Sequence, residues 1–172
     1  MAAAKKIYQQ DGLKFNTKAM LEYYKELKEL KKNKAINSFT LPTLKEVKTK
    51  TKYGAKKCQI NENTFDSIME SKFYIHLKEN KNIKKIELQP SYLLLEGYIK
   101  NNKKVRPITY KADFKVTLKD NTTRVFDVKG TETDAFKLKK KLFEYKYPDT
   151  LECVRLVKNE WIDIYLKKEV QI

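Results

Sequence analysis

The chain has 172 residues, of which 41% are hydrophobic and 12% are aromatic. This length suits one domain with a hydrophobic core and a smaller appended unit, and this composition excludes a wholly disordered chain. The 38 Lys and Arg residues outnumber the 22 Asp and Glu residues and leave a net charge of +16. This charge favours a polyanionic partner, because bound cations release the counterions of a phosphate backbone.

Cysteine usage and hydropathy bear on the compartment. Cys58 and Cys153 are far apart in the sequence and lack the spacing of a zinc site or a disulfide framework, so we expect a reducing, intracellular setting. No run of apolar residues is long enough to cross a bilayer. We therefore expect a soluble cytoplasmic protein with no membrane partner.

The N-terminal third carries one strong helical pattern, in which apolar residues recur at helical spacing from about Thr17 to Lys32. The segment from Lys45 to Lys57 is rich in Lys and Thr without periodicity. It predicts a linker, and a flexible basic arm that contacts DNA is the alternative. We therefore divide the chain into an N-terminal helical extension with a basic linker, residues 1–55, and a main domain, residues 56–172.

The start of the main domain resembles the N-terminal extension. A second helix is predicted from Asp66-Ser67 to about Lys78, and Phe65-Asp66-Ser67 follows Phe15-Asn16-Thr17 at an offset of fifty residues. At the same offset, Met20 occupies the place that Glu70 holds. One hypothesis is a degenerate partial duplication in which only the second copy kept the carboxylate. The other is a chance likeness between two amphipathic helices of a Lys-rich chain.

The remainder of the chain alternates between strands and one helix. Strands are predicted over Lys85–Gln89, Tyr92–Ile99, Ile108–Leu118, Arg124–Lys129 and Leu151–Lys158, with a helix over Ala135–Tyr145 and a short apolar element over Trp161–Leu166. Turns are expected at Asn101-Asn102 and around Asp120. The order of helix, antiparallel strands, helix and strand predicts a mixed α/β domain.

Charged residues with a specific arrangement lie on the hairpin on either side of Asp120. Because side chains alternate along a strand, Asp127 and Lys129 share one face, away from Phe126 and Val128. If the turn is centred on Asp120, Asp113 lies directly opposite Asp127, and such pairs have Cβ atoms roughly 4.5–5.5 Å apart. We therefore expect Asp113, Asp127 and Lys129 on one polar side of the hairpin.

This arrangement suits phosphodiester hydrolysis. Two aspartates this close repel each other unless a cation lies between them, and Mg²⁺ or Mn²⁺ prefers oxygen ligands. The ammonium of Lys129 can reach the attacking water or the charge that develops on the phosphate, and Glu70 on the preceding helix can supply a third carboxylate. The competing interpretation is a solvated hairpin with ordinary surface charges.

The ordered residues resemble the PD-(D/E)XK nuclease superfamily, and within it a phage-associated endonuclease family similar to Holliday-junction resolvases. The resemblance covers about residues 56–155 and depends on the following segments: Phe65-Asp66-Ser67-x-x-Glu70, Leu88-Gln89-Pro90, Tyr110-x-Ala112-Asp113-Phe114, Asp127-Val128-Lys129-Gly130 and Leu142-Phe143. It implies an α/β fold of the restriction-endonuclease type, with a mixed β-sheet core flanked by helices. Residues 1–55 are outside it.

The resemblance also implies the roles of the site residues. Glu70, Asp113 and Asp127, with the carbonyl of Val128, would hold Mg²⁺, for which Mn²⁺ can substitute, and Lys129 would be the catalytic lysine. It implies a phage-encoded, homodimeric endodeoxyribonuclease in a bacterial host cell, acting on branched or recombination-intermediate DNA. Alternatives are a sequence-specific or transposon-end nuclease, and a non-catalytic basic nucleic-acid-binding protein with this fold.

A group of lysines on the helix after the site is a candidate DNA contact, since basic side chains near a site position a phosphate backbone. The group consists of Lys137, Lys139, Lys140 and Lys141. A solvated helix face is the other interpretation.

Overall fold

The computed structural model describes residues 7–41 and 57–172. The chain divides into two compact units, Met1–Lys72 and Phe73–Ile172, called unit 1 and unit 2 below. The linker that the sequence predicts over Lys45–Lys57 lies outside the described residues, except for Lys57. Among the described residues, no helix has the length and apolar character needed to cross a membrane.

Unit 1 contains two β-hairpins and a long helix. Its elements are β1 (Tyr8–Gln10), β2 (Leu13–Phe15), α1 (Lys18–Lys32), β3 (Phe39–Thr40), β4 (Cys58–Ile60), β5 (Asn63–Phe65) and the start of α2 (Ile68–Glu79). β3, β4 and β5 form one antiparallel sheet. The helix predicted from Thr17 is confirmed, with Thr17 as its N-cap: its hydroxyl accepts from the amide of Met20 at 3.2 Å. The extension also contains short strands, β1 and β2 before this helix and β3 after it.

Two segments of the chain have the same element order at an offset of fifty residues. β1, β2 and the start of α1 correspond residue for residue to β4, β5 and the start of α2. The hairpin turns correspond as well, since Asp11 (φ 50°) and Asn61 (φ 53°) are both in the left-handed region. These matches support the duplication hypothesis, because a chance likeness of two helices does not extend to the preceding hairpins.

Unit 2 continues from α2 through seven strands, the helix α3 and three further strands. Its elements are β6 (Ile83–Leu88), β7 (Ser91–Leu95), β8 (Tyr98–Lys100), β9 (Lys103–Val105), β10 (Ile108–Lys111), β11 (Phe114–Leu118), β12 (Thr123–Val128), α3 (Asp134–Lys146), β13 (Leu151–Val157), β14 (Glu160–Asp163) and β15 (Lys168–Glu169). The main sheet has the order β15-β14-β13-β12-β11-β6, in which only β12 and β13 are parallel. The predicted mixed α/β class is confirmed.

The strand predicted over Ile108–Leu118 is broken at Ala112 and Asp113. β10 pairs with β7 in a separate two-stranded ribbon, whereas β11 pairs with β6 and β12. Gln89 has φ 51° and precedes Pro90, so the chain turns there and leaves the main sheet. The break is fixed by backbone hydrogen bonds from Gln89 to Asp113 at 2.9 Å and from Ala112 to Pro90 at 3.1 Å.

Both faces of the main sheet of unit 2 are covered. On one face Phe114 and Phe126 pack against Phe73, with ring centres 5.5 and 5.3 Å away. The other face carries an apolar cluster that includes Val125 and is covered by side chains from β7, β10 and α3. The expected polar side of the hairpin is therefore covered, and Asp127, which alternates with Phe126, lies buried on the same face as Val125.

Candidate active site

Asp127 is a buried carboxylate with a different partner on each oxygen. Only 1% of the residue is exposed. The hydroxyl of Tyr110 donates a short hydrogen bond to Oδ1, and Nζ of Lys129 lies 2.6 Å from Oδ2. Among the described residues, Oδ2 has no partner other than this ammonium. Lys129 therefore supplies the positive charge that a carboxylate out of water requires.

Lys129 is held by its backbone and by its side chain. Its amide donates to the carbonyl of Val154 at 2.9 Å, and its own carbonyl accepts from Nε of Arg155 at 3.2 Å. The ammonium lies 4.4 Å from the centre of the Phe136 ring on α3, a cation–π distance. One quarter of the side chain is exposed, so the ammonium lies between the buried carboxylate and solvent.

Asp113 lies at the break between β10 and β11, next to Asp127. The observed register of β11 and β12 pairs Phe114 with Phe126 and Lys115 with Val125, as predicted from a turn centred on Asp120. Continuing this register by one residue places Asp113 opposite Asp127. Oδ2 of Asp113 accepts from the amide of Val128 at 2.7 Å, which fixes its carboxylate beside β12.

The pKa of Tyr110 depends on both carboxylates. Burial raises the pKa of its phenol far above the usual range, and the charge of Asp127, its hydrogen bond and the charge of Asp113 raise the pKa further. The phenol therefore remains a neutral hydrogen-bond donor at physiological pH. The sequence contains Tyr110 in the motif Tyr110-x-Ala112-Asp113-Phe114 but indicates no role for it, because no local signal marks the break at Ala112 that brings its hydroxyl to Asp127.

Glu70 belongs to unit 1, where it lies in the first turn of α2. Its Oε1 accepts from the hydroxyl of Ser67 at 2.8 Å and its Oε2 from the amide of Asp66 at 3.1 Å. The Ser67 hydroxyl in turn accepts from the amide of Glu70 at 3.1 Å. This reciprocal pattern is a capping box, so Glu70 has a structural role at the helix start whether or not it binds a metal.

The site residues fit a hard divalent cation with few protein ligands. Across residues 7–41 and 57–172, no group of three or more His, Cys, Asp or Glu side chains is arranged to hold a metal ion. Mg²⁺, however, uses one or two protein carboxylates and completes its octahedral shell with water and substrate phosphate oxygens. An ionised carboxylate oxygen has lone pairs for more than one partner, so the buried Oδ2 of Asp127, which contacts only the Lys129 ammonium among the described residues, suits such an ion.

The lysines of α3 have different environments. Lys140 contacts Glu144, donates to the carbonyl of Leu151 at 2.8 Å and lies over the ring of Tyr165 at 4.8 Å. Lys139 donates to the carbonyl of Thr109 at 2.9 Å, whereas Lys137 and Lys141 are exposed. Three of the four lysines, all but Lys139, line a cavity of about 510 Å³ that also contains acidic side chains, namely Glu132, Glu144, Glu152 and Asp163. Of the four lysines predicted to contact phosphate, Lys137 and Lys141 are therefore the exposed ones.

Comparison with known proteins places the chain in a family without assigning an activity. A family model described as a protein of unknown function, DUF1064, matches residues 50–166, about two thirds of the chain. The chain belongs to this family. No curated protein and no solved structure matches the chain.

Proposed function

We propose that this protein is a metal-dependent endodeoxyribonuclease of the PD-(D/E)XK superfamily, with Asp113, Asp127 and Lys129 at its catalytic centre. The observation that carries the proposal is the buried Asp127, bound to Lys129 at 2.6 Å beside the carboxylate of Asp113. A buried ion pair contributes little net stability compared with apolar residues of the same volume. A second carboxylate close to the first adds repulsion, which makes a chemical role the better explanation.

The carboxylates of Asp113 and Asp127, with the carbonyl of Val128, would hold Mg²⁺ or Mn²⁺. Such an ion supplies a nucleophilic hydroxide and neutralises charge on the phosphate. Tyr110 holds Oδ1 of Asp127, and the amide of Val128 holds Oδ2 of Asp113. Both carboxylates are thus oriented before any ligand binds, which lowers the cost of reorganisation. The partly exposed ammonium of Lys129 can turn from Asp127 toward a substrate phosphate.

The fold and the charge give further support. The mixed sheet of unit 2, with its parallel β12–β13 pair and the helix α3, is compatible with the mixed β-sheet core flanked by helices that the sequence resemblance implies. The net charge of +16 suits a DNA substrate. We include Glu70 in the proposal as a third metal ligand, and we propose a homodimer that acts on branched DNA in the cytoplasm of a bacterial host.

A cleavage assay tests this proposal directly. A four-way junction and a linear duplex of the same sequence are incubated with Mg²⁺, with Mn²⁺ and with chelator. We expect metal-dependent cutting by the wild type and none by Asp127→Asn. Asp120→Asn is the matched control, because Asp120 lies in the exposed turn of the same hairpin, where its side chain accepts from Thr122. Equal loss in both variants, or cutting that persists in Asp127→Asn, would refute the assigned site.

The comparison of the junction with the linear duplex distinguishes the remaining candidate functions. Preferential cutting of the junction supports the branched-DNA specificity, whereas equal cutting of both substrates supports a structure-independent, sequence-specific or transposon-end nuclease. Tight binding without cutting under any metal condition favours a non-catalytic nucleic-acid-binding protein. In that case Asp113→Asn and Asp127→Asn would leave binding unchanged.

A further inference from the structure

The β8–β9 hairpin of unit 2, residues 98–105, is an exposed basic ribbon. It interrupts the pairing of β7 with β10 and pairs Tyr98 with Val105, Ile99 with Lys104 and Lys100 with Lys103. Tyr98 is 47% exposed and Ile99 is 77% exposed. The cations Lys100, Lys103, Lys104 and Arg106 are also exposed, and none of them forms an ion pair with another described residue.

The charge pattern of the ribbon is unfavourable in isolation. Lys100 and Lys103 are direct cross-strand partners next to the turn, and like charges in that position destabilise a hairpin. Lys104 and Arg106 add further positive charge nearby. A polyanion that binds the ribbon removes this repulsion, whereas an apolar or basic protein partner does not.

The shape of the ribbon suits the major groove of duplex DNA. Asn101 and Asn102 have φ values of 50° and 59°, which matches the tight two-residue turn that gives a narrow, twisted hairpin. Paired strands lie about 4.8 Å apart, and the major groove, about 12 Å wide, admits a two-stranded ribbon. At its base, a Cβ on Gly97 would lie 3.1 Å from both Pro107 Cδ and the Val105 carbonyl, so the two strands meet closely there.

The position of the ribbon in the chain links it to the candidate site. β10 follows the ribbon and carries Tyr110, which binds Asp127. The eight residues that follow Val105, up to Asp113, span at most about 29 Å, which is less than one turn of duplex DNA. A duplex whose phosphate occupies the site therefore passes within reach of the ribbon.

We propose that the β8–β9 ribbon enters the major groove of the DNA that flanks the cleaved phosphate. Lys100, Lys103 and Lys104 contact phosphates, and Tyr98 and Ile99, which lie on opposite faces of the ribbon, contact opposite walls of the groove. This inference rests on the proposed nuclease function and assigns to it a duplex-binding element outside the α3 lysines.

Equilibrium binding of a fluorescent 30-base-pair duplex in chelator, from about 50 to 300 mM salt, tests the ribbon. In the ribbon variant Lys100, Lys103 and Lys104 are changed to Gln, and in the matched control Lys81, Lys84 and Lys119 are changed to Gln. The control lysines lie on the loop before β6, on β6 itself and at the β11–β12 turn. The two variants therefore have equal net charge. Each phosphate contact contributes about 0.9 to the slope of log K against log salt. We therefore expect the magnitude of this slope to fall by roughly 2.7 in the ribbon variant, which loses three contacts, and to stay almost unchanged in the control variant.

Apolar contacts are tested separately with the double variant Tyr98→Ala, Ile99→Ala. We expect roughly ten-fold weaker binding with an unchanged salt slope, since these side chains carry no charge. Melting temperatures of all variants establish that each is folded, and removal of the Lys100–Lys103 repulsion should leave that of the ribbon variant unchanged or raised.

The outcomes separate the two proposals. Equal losses in the ribbon and control variants would mean a general charge effect and would overturn the ribbon inference, as would unchanged binding in the ribbon variant. A ribbon-dependent duplex complex that is never cut in Mg²⁺ or Mn²⁺ would support the ribbon and refute the nuclease. Absence of duplex binding by the wild type would overturn the ribbon inference, whereas the nuclease proposal is decided by the junction-cutting assay with Mg²⁺ or Mn²⁺.

Discussion

The hydroxyl of Tyr110 on β10 donates to Oδ1 of Asp127 on β12, although the two strands belong to different sheets. This contact depends on the break at Ala112 and Asp113, which takes β10 out of the main sheet. Among the described residues, Oδ2 of Asp127 then has only Lys129 as a partner, so the two oxygens of this carboxylate bind different groups. Tyr110 fixes the orientation, and Lys129 balances the charge.

Tyr110→Phe should therefore remove a hydrogen bond from the site without creating a cavity in the core. The ring still packs near Phe136 and Phe143, with ring centres 6.2 and 6.1 Å away, but Oδ1 of Asp127 loses its donor. An unsatisfied buried acceptor costs about 1–3 kcal/mol, so we expect a loss of that size in chemical unfolding together with slower cleavage.

Tyr92→Phe is the matched control in the same cluster. The Tyr92 hydroxyl is buried with no hydrogen-bond partner among the described residues, so its removal should leave stability unchanged or raise it by up to about 1 kcal/mol. A similar loss in both variants would mean that the Tyr110 hydroxyl has no specific role.

The Asp127–Lys129 pair makes a second prediction, in which stability and activity respond differently. Lys129→Gln leaves a buried charge uncompensated and should cost about 3–5 kcal/mol. Asp127→Asn keeps the shape and the Tyr110 contact, and the Lys129 ammonium can still reach solvent, so the cost should be smaller.

The double variant Asp127→Asn, Lys129→Gln separates structure from chemistry. Because it contains no uncompensated charge, it should recover much of the stability that Lys129→Gln loses, yet it should remain without cleavage activity. Urea unfolding and the junction-cutting assay measure the two properties. Recovery of both together would show that the pair is purely structural.

Local sequence signals predicted the helices and the hairpin register. Helices α1 and α3 lie where the sequence predicts helices, with Thr17 and Thr133 as their N-caps, and β11 pairs with β12 in the register predicted from a turn centred on Asp120. The strands of unit 1 are only two or three residues long, too short to show periodicity. They could have been found only through the fifty-residue offset.

The burial of the site was not predictable from alternation. β12 is covered on both faces, so Val125, Phe126 and Asp127 are all buried and the strand has no polar side. Which face of the sheet β7, β10 and α3 would cover depends on the break at Ala112, and that break comes from long-range hydrogen bonds with Gln89 and Pro90 rather than from a local turn signal.

A third prediction concerns Glu70, because its capping role and its proposed role as a metal ligand can be separated by one substitution. Glutamine at this position still completes a capping box with Ser67, so Glu70→Gln should keep the stability of the wild type while it removes the negative charge. Glu70→Ala should lose about 0.5–2 kcal/mol. If Glu70 is a metal ligand, both variants lose cleavage.

Thr17→Ala is the control for the capping effect, because Thr17 caps α1 at the position that corresponds to Ser67, fifty residues later. It should lose a similar amount of stability and keep full cleavage activity. Full cleavage by Glu70→Gln would restrict Glu70 to its capping role and leave the carboxylates of Asp113 and Asp127 as the side-chain metal ligands.

The two buried thiols make a fourth prediction, on the pH dependence of stability. Burial is the main cause that raises the pKa of Cys58 to about 11 and that of Cys153 to about 12. Unfolded thiols titrate near pH 8.5, so above that pH the unfolded chain binds fewer protons than the folded one. Stability therefore falls as pH rises, by up to about 1.4 kcal/mol per pH unit for each thiol.

Unfolding free energies of the wild type, Cys58→Ala and Cys153→Ala, measured between about pH 8 and 11, isolate these contributions. Other groups titrate equally in all three proteins, so the difference between the wild type and each variant reports one thiol. We expect each difference to shift steadily in favour of the variant above pH 9, because alanine has no proton to lose. A difference that stays constant with pH would mean that the thiol ionises as readily in the folded protein as in the unfolded chain. Water would then reach a cysteine that the structure buries.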